Sequence, residues 1–173
     1  ARDSYSILSE PSVELEALTD SVLAVVGSSF WKEVQRSSES RTEFTIAARL
    51  EPDIILGTLD RVYRDSDGVW TVLDFKTDAV TEQTLREKIL RYEPQVKFYA
   101  LLVRKFFGCS RVRACLLFSA FVDSPARFEF SSDELDEYGR HIRLIIGRIR
   151  AGEFTRPEKP CAECPFLPDG CSF

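Results

Sequence analysis

The tetrapeptide Asp65-Ser66-Asp67-Gly68 lies between two stretches in which apolar residues recur at every second position. Short polar residues followed by glycine reverse a chain, and alternation on both sides gives each arm one apolar face. Residues 54–77 are therefore predicted to form a β-hairpin. If Ser66-Asp67-Gly68 is a three-residue loop with Gly68 left-handed, the register sets Asp60 opposite Asp74. By strand alternation Leu56, Thr58, Asp60 and Val62 share one face of the first arm, and Trp70, Val72, Asp74 and Lys76 one face of the second.

The rest of the chain supplies partners for that hairpin. Residues 12–36 carry Leu15, Leu18, Val22, Val25 and Val26 at helical spacing, interrupted by Gly27-Ser28-Ser29. From Arg41 the period falls to two (Phe44, Ile46, Ala48), which predicts a strand ending near Glu51-Pro52-Asp53. A short helix is expected over 81–90. A second should open at Pro94 and stop at Gly108. The apolar run 112–122 suits a strand buried on both faces, and 126–130 can pair with it. Ser131-x-x-Glu134 has the form of a capping box, opening a helix with a stripe of Leu135, Tyr138, Ile142, Ile145, Ile146 and Ile149. This order predicts an α/β fold, a central mixed β-sheet flanked by helices.

With 173 residues, 44% hydrophobic and 29% charged, the chain reads as a single domain over 1–173 ending in a cysteine-containing tail, 152–173. No long uncharged apolar run and no basic-then-apolar leader is present, so a soluble cytoplasmic protein without a membrane partner is expected. The chain starts at Ala1 and contains no Met, which suggests a piece of a longer protein. A net charge of -5 argues against coating nucleic acid by bulk charge. Residues 86–113 nevertheless hold Arg86, Lys88, Arg91, Lys97, Arg104, Lys105, Arg111 and Arg113 against Glu87 and Glu93, a local basic face.

Two carboxylates opposed across an antiparallel pair stand about 5 Å apart at Cβ and repel unless a cation lies between them. Hard oxygen ligands on a rigid sheet, too few to enclose an ion, suit Mg²⁺ or Mn²⁺ sharing water and a substrate phosphate. Lys76 projects to the same side as Asp74. An ammonium there can hold a metal-bound water and offset charge developing at phosphorus.

Gly57-Thr58-Leu59-Asp60-Arg61-Val62, then Val72-Leu73-Asp74-Phe75-Lys76-Thr77, then Tyr92-Glu93-Pro94-Gln95 with Tyr99 resembles the RecB-like branch of the PD-(D/E)XK nucleases, with its G-x-x-D-R, D-(F/Y)-K-T and Y-x-x-Q-x-x-x-Y motifs. The resemblance spans roughly residues 40–171 and implies a restriction-endonuclease-like sheet. It also implies that Asp60, Asp74 and the Phe75 carbonyl bind a divalent metal, that Lys76 is catalytic, and that Gln95 and Tyr99 line the DNA side. Gln95 falls in the first turn of the expected helix, where free amides attract phosphate, and Tyr99 one turn on. Tyr92, Arg61 and Lys97 are further candidates for contact with DNA. Glu43 stands where such relatives often show an acid followed by an apolar residue.

That branch also carries a His on a helix upstream of the first motif, whereas the only His here is His141. Either the chain begins after that helix or its site is incomplete. Cys161-x-x-Cys164 with Cys171 is similar to the cysteine cluster that holds [4Fe-4S] in some members, the AddB type, where the fourth ligand lies far upstream. Zn²⁺ is an alternative, as are free thiols; Cys109 could contribute a ligand, while Cys115 reads as core. The resemblance implies a metal-dependent DNA exonuclease domain of an AddA/RecB-type repair or recombination enzyme, with a helicase in the same chain or a partner subunit. A silent DNA-binding or scaffold module, or an iron–sulfur interaction domain, is the rival reading.

Overall fold

A computed structural model describes residues 12–153, with side chains from residue 18 onward. The elements are α1 (Ser12–Gly27), α2 (Ser29–Gln35), β1 (Ser40–Leu50), β2 (Asp53–Arg64), β3 (Trp70–Lys76), α3 (Glu82–Phe107), β4 (Arg111–Phe118), β5 (Ala126–Ser131) and α4 (Ser132–Arg150). The chain divides into two compact units, 1–139 and 140–173. The first holds the whole sheet. Of the second, the described part is the remainder of α4 and the turn after it. No helix among the described residues is long and apolar enough to cross a membrane.

The sheet has five strands in chain order, antiparallel except for the β3–β4 pair, which α3 connects in parallel. It is the mixed, helix-flanked sheet of the restriction-endonuclease-like α/β fold. The Asp65–Gly68 turn forms as the residue types require. The Gly68 amide donates to the Asp65 carbonyl at 2.9 Å, the Asp65 amide to the Val69 carbonyl at 3.0 Å, and Gly68 has φ 74°. Between α1 and α2 the Ser28 hydroxyl accepts from the Trp31 amide at 3.1 Å and donates to the Val25 carbonyl at 2.7 Å. One residue thus ends one helix and caps the next.

Each sheet face is covered by a different layer. Against one lie Phe30 and Val34 of α2, clustered with Tyr63, Leu73, Cys115 and Leu117. Against the other lies α3, with Phe107 stacked on Trp70 at 3.8 Å between ring centroids. β4, pressed from both sides, is buried from Ala114 through Phe118, and it ends there rather than at 122.

Residues 82–107 form one helix, not two, with Pro94 in its interior. Proline removes one intrahelical bond, to the Leu90 carbonyl, and Leu90 and Pro94 both lie on the exposed side. There water can take the carbonyl. The buried run Val96, Ala100, Leu101, Leu102 and Val103 then keeps the helix continuous.

Candidate active site

The ladder between β2 and β3 runs from Arg64↔Trp70 to Arg61↔Leu73. The next rung would join Asp60 to Asp74. Instead the Phe75 amide donates to Asp60 Oδ2 at 2.8 Å, so a side chain has replaced the main chain as acceptor. The two strands part here, while β3 continues beside β4 as far as Lys76↔Phe118. Asp60 and Asp74 stand at the fork.

Asp74 is 2% exposed. Burial raises its pKa; the hydrogen bond and charge of Lys76 pull it back, and the Asp60 carboxylate pushes it up again. Lys76 Nζ stands 2.6 Å from Asp74 Oδ2 and donates to Gln95 Oε1 at 2.9 Å. Gln95 Nε2 donates to the Tyr99 hydroxyl at 3.0 Å. Those two lie one turn apart on α3, and the ring of Tyr92, on the same helix, lies 4.2 Å from Lys76 Nζ. The structure therefore brings Asp60, Asp74, Phe75, Lys76, Tyr92, Gln95 and Tyr99 into one continuous arrangement. It adds Asp78, whose two carboxylate oxygens accept from the Tyr92 hydroxyl at 3.0 and 2.9 Å while Oδ1 also takes Lys88 Nζ at 3.0 Å. No motif pointed to Asp78. The available signal was the spacing of Lys88 and Tyr92, four apart on a helix that follows a loop acid.

Arg61 goes elsewhere. Its guanidinium lies 4.9 Å over the Trp31 ring and donates to the Ser40 hydroxyl at 2.8 Å, on the face covered by α2. The expectation that Leu56, Thr58, Asp60 and Val62 share a face also fails. Gly57 faces Leu102 and Tyr99 of α3, so buried Ile55 and Leu59 do too by alternation. Beyond Asp60, Tyr63 joins the α2 cluster and buried Val62 takes the α3 side. The alternation shifts by one residue at Asp60, and in β1 it shifts at Glu43, the position across from it. There Arg41 and Phe44, three residues apart, both meet phenylalanines of α3. Glu43 has φ 46°, the only non-glycine with positive φ among the described residues. Because both strands re-phase together, the register is the same on either side.

The stretch 86–113 is not one basic face. Lys88 is bound by Asp78, Arg104 by Asp136, Arg111 by Glu129, and Arg113 by Asp65, Asp67 and Glu129. Lys97 lies over the Phe130 and Tyr138 rings at 5.6 and 5.5 Å, away from Lys76. Cys115 is buried in the core, its thiol pushed up to about 11 chiefly by burial, and Cys109 is half-buried. Cys161, Cys164 and Cys171 lie outside the described residues. His141 is exposed on the part of α4 that belongs to the second unit.

The donor set suits a hard divalent cation. Asp74 Oδ2 is buried, with the Lys76 ammonium 2.6 Å away, and a second carboxylate repels it. One ammonium beside two carboxylates leaves negative charge that a further cation would balance. Among the described residues no three His, Cys, Asp or Glu side chains are grouped so as to hold a metal ion. The fork thus offers two carboxylates, too few to enclose a divalent ion without water.

A family model of the PD-(D/E)XK nuclease superfamily, whose members generally use divalent metal ions, matches residues 4–168. No curated protein matches. Among solved structures the chain is similar to one named "Putative exonuclease" from Eubacterium rectale, at 13% identity over 87% of this chain and 58% of that one, with a TM-score of 0.52. Another is named SSO0001, at 15% identity over 76% of this chain and 60% of that one, with a TM-score of 0.43. The chain spans about three fifths of the length of these two structures. At 13% identity the first likeness is one of fold. The family match covers both arms of the hairpin, α3 and the acids at the fork, and on that ground the chain belongs to the PD-(D/E)XK nuclease superfamily.

Proposed function

We propose that this chain is the nuclease domain of a DNA repair or recombination helicase–nuclease, and that it hydrolyses DNA phosphodiester bonds as an Mg²⁺- or Mn²⁺-dependent exonuclease. The observation that carries this reading is the buried Asp74 carboxylate, with Lys76 Nζ 2.6 Å from its Oδ2 and the Asp60 carboxylate repelling it. Asp60, Asp74 and the Phe75 carbonyl would hold the metal, which supplies an activated water and charge neutralisation at the phosphate. Lys76 orients the attacking water and offsets charge developing at phosphorus. Gln95, which accepts from Lys76 and donates to Tyr99, limits where that ammonium can point.

Asp74→Asn and Lys76→Ala should each lower Mg²⁺-dependent cleavage of end-labelled DNA by about 10²-fold or more while the circular dichroism spectrum of the folded protein is kept. Calorimetry should show Mn²⁺ binding that Asp74→Asn weakens. Undiminished turnover in either variant, or Mn²⁺ binding indifferent to Asp74, would overturn the assignment.

A further inference from the structure

Three groups surround the Lys76 ammonium. Asp74 Oδ2 lies at 2.6 Å, Gln95 Oε1 at 2.9 Å, and the centroid of the Tyr92 ring at 4.2 Å. Two of these are oxygen acceptors, and the third is an aromatic face whose electron density attracts a cation. The side chain of Lys76 is 12% exposed, so little water competes with the ring. The ring in turn is fixed at both ends. One side meets Phe118 at 6.3 Å between centroids, and the hydroxyl is shared between the two oxygens of Asp78. Asp78 is anchored by Lys88. Burial tends to raise the Asp78 pKa, but the bonds from Lys88 and Tyr92 and the charge of Lys88 hold it below the ordinary carboxylate value. It therefore remains an acceptor for the phenol at neutral pH.

We propose that Tyr92, oriented by Asp78, is a positioning residue for Lys76: its ring forms the third wall around the ammonium and fixes the direction of Nζ, and its hydroxyl serves Asp78 rather than DNA. The proposal rests on Lys76 acting in phosphodiester hydrolysis. It assigns a purpose to Asp78, which no motif singles out, and it replaces the expectation that Tyr92 touches the nucleic acid. A phenol whose proton is already shared between two carboxylate oxygens has no donor left for a phosphate. A flexible lysine, by contrast, carries large rotamer freedom unless its surroundings remove it.

The test compares Tyr92→Phe with Tyr92→Leu in the 173-residue chain, reading cleavage kinetics together with the NMR shifts of isotope-labelled lysine. The ring above Nζ should move the Lys76 Hε resonances upfield in the parent and in Tyr92→Phe, and Tyr92→Leu should return them to ordinary lysine values. In kinetics, Tyr92→Leu should lower kcat about tenfold with KM for DNA unchanged. Tyr92→Phe, which keeps the ring and loses only the Asp78 bond, should lose about threefold or less. Equal kcat in the two variants, a rise in KM with either, or Lys76 resonances indifferent to leucine would overturn the proposal. If Lys76→Ala cleaves as well as the parent, while the parent shows the upfield Lys76 shift that Tyr92→Leu removes, the nuclease reading has failed instead. The resonance arm separates that result from a failure of the geometry.

Discussion

A glutamate held at φ 46° within a strand costs about 1–2 kcal/mol relative to ordinary backbone. That cost is accepted at one place in β1, across from Asp60, where both strands re-phase. Without the shift, alternation would carry Arg61 and Tyr63 to the α3 side and Val62 to the α2 side, and the two cores could not both form. Glycine at position 43 would adopt the left-handed backbone freely while adding unfolded-chain entropy. Glu43→Gly should therefore raise stability slightly, by about 0.5 kcal/mol, and Glu43→Val should lower it by about 1 kcal/mol or more. Chemical denaturation of the two variants checks this; a glycine variant less stable than the parent would show that the Glu43 side chain matters more than its backbone. At this scale the sequence was informative wherever meaning is local. The Asp65–Gly68 turn fixes the register, and the register brings Asp60 next to Asp74. Helical spacing likewise sets Gln95 one turn from Tyr99. Leu56 and Thr58 share a face with Val62 only if alternation runs unbroken, and no residue type announces the re-phasing at Asp60; Arg61, next to Asp60 in the motif, turns to the opposite face, against Trp31. Asp78 was overlooked because its partners become neighbours only when α3 folds back over the loop.

Between elements, β2 and α3 come close at Gly57. A Cβ on Gly57 would lie 2.8 Å from Leu102 Cδ1 and 3.3 Å from Tyr99 Cε1. The glycine of the G-x-x-D-R motif is thus where strand and helix touch, and its small size sets how near Tyr99, and through it Gln95, comes to the fork. Gly57→Ala should cost about 1–3 kcal/mol, since Leu102 must rotate and the Tyr99 ring must shift. It should also lower cleavage more than an equally destabilising change far from Tyr99. Thermal melts set against turnover test this, and activity falling only in step with unfolded fraction would count against a link through Tyr99. The continuity of α3 belongs to the same scale. Pro94 and the preceding residues look like a helix boundary, because the restriction proline imposes is local. The run of buried residues after it, packed on the sheet, outweighs one missing bond. Tertiary burial of that kind has no trace in a window of a few residues. The fold class, in contrast, was legible as a mixed sheet with helices because periods of two and of 3.6 alternate along the chain.

Across the sheet-bearing unit, the hairpin tip, β4 and β5 are held together by one side chain. Arg113 Nη1 donates to Asp65 Oδ2 at 2.8 Å and Asp67 Oδ2 at 2.7 Å, and its Nε to Glu129 Oε2 at 2.8 Å. Asp65 is the demanding partner, since its side chain is only 8% exposed. Its other oxygen caps the turn by accepting from the Asp67 and Val69 amides. Burial pushes the Asp65 pKa up, but the Val69 amide, Arg113 and Thr71 bring it below the ordinary 3.8, and Arg113 likewise lowers Glu129 below 4.5. A carboxylate whose folded pKa lies below its unfolded one stabilises the fold fully above the unfolded value and progressively loses that contribution as pH falls through the folded one. Stability should accordingly be level near neutrality and fall below about pH 4. Arg113→Ala, which leaves Asp65 charged, buried and short of one donor, should cost about 1–3 kcal/mol at pH 7. The difference between parent and variant should shrink on acidification, because protonated Asp65 no longer needs the guanidinium. Denaturant titrations of both proteins at pH 7 and pH 3 measure this, and a penalty of the same size at both would mean that Arg113 contributes through the packing of its stem rather than through its charge.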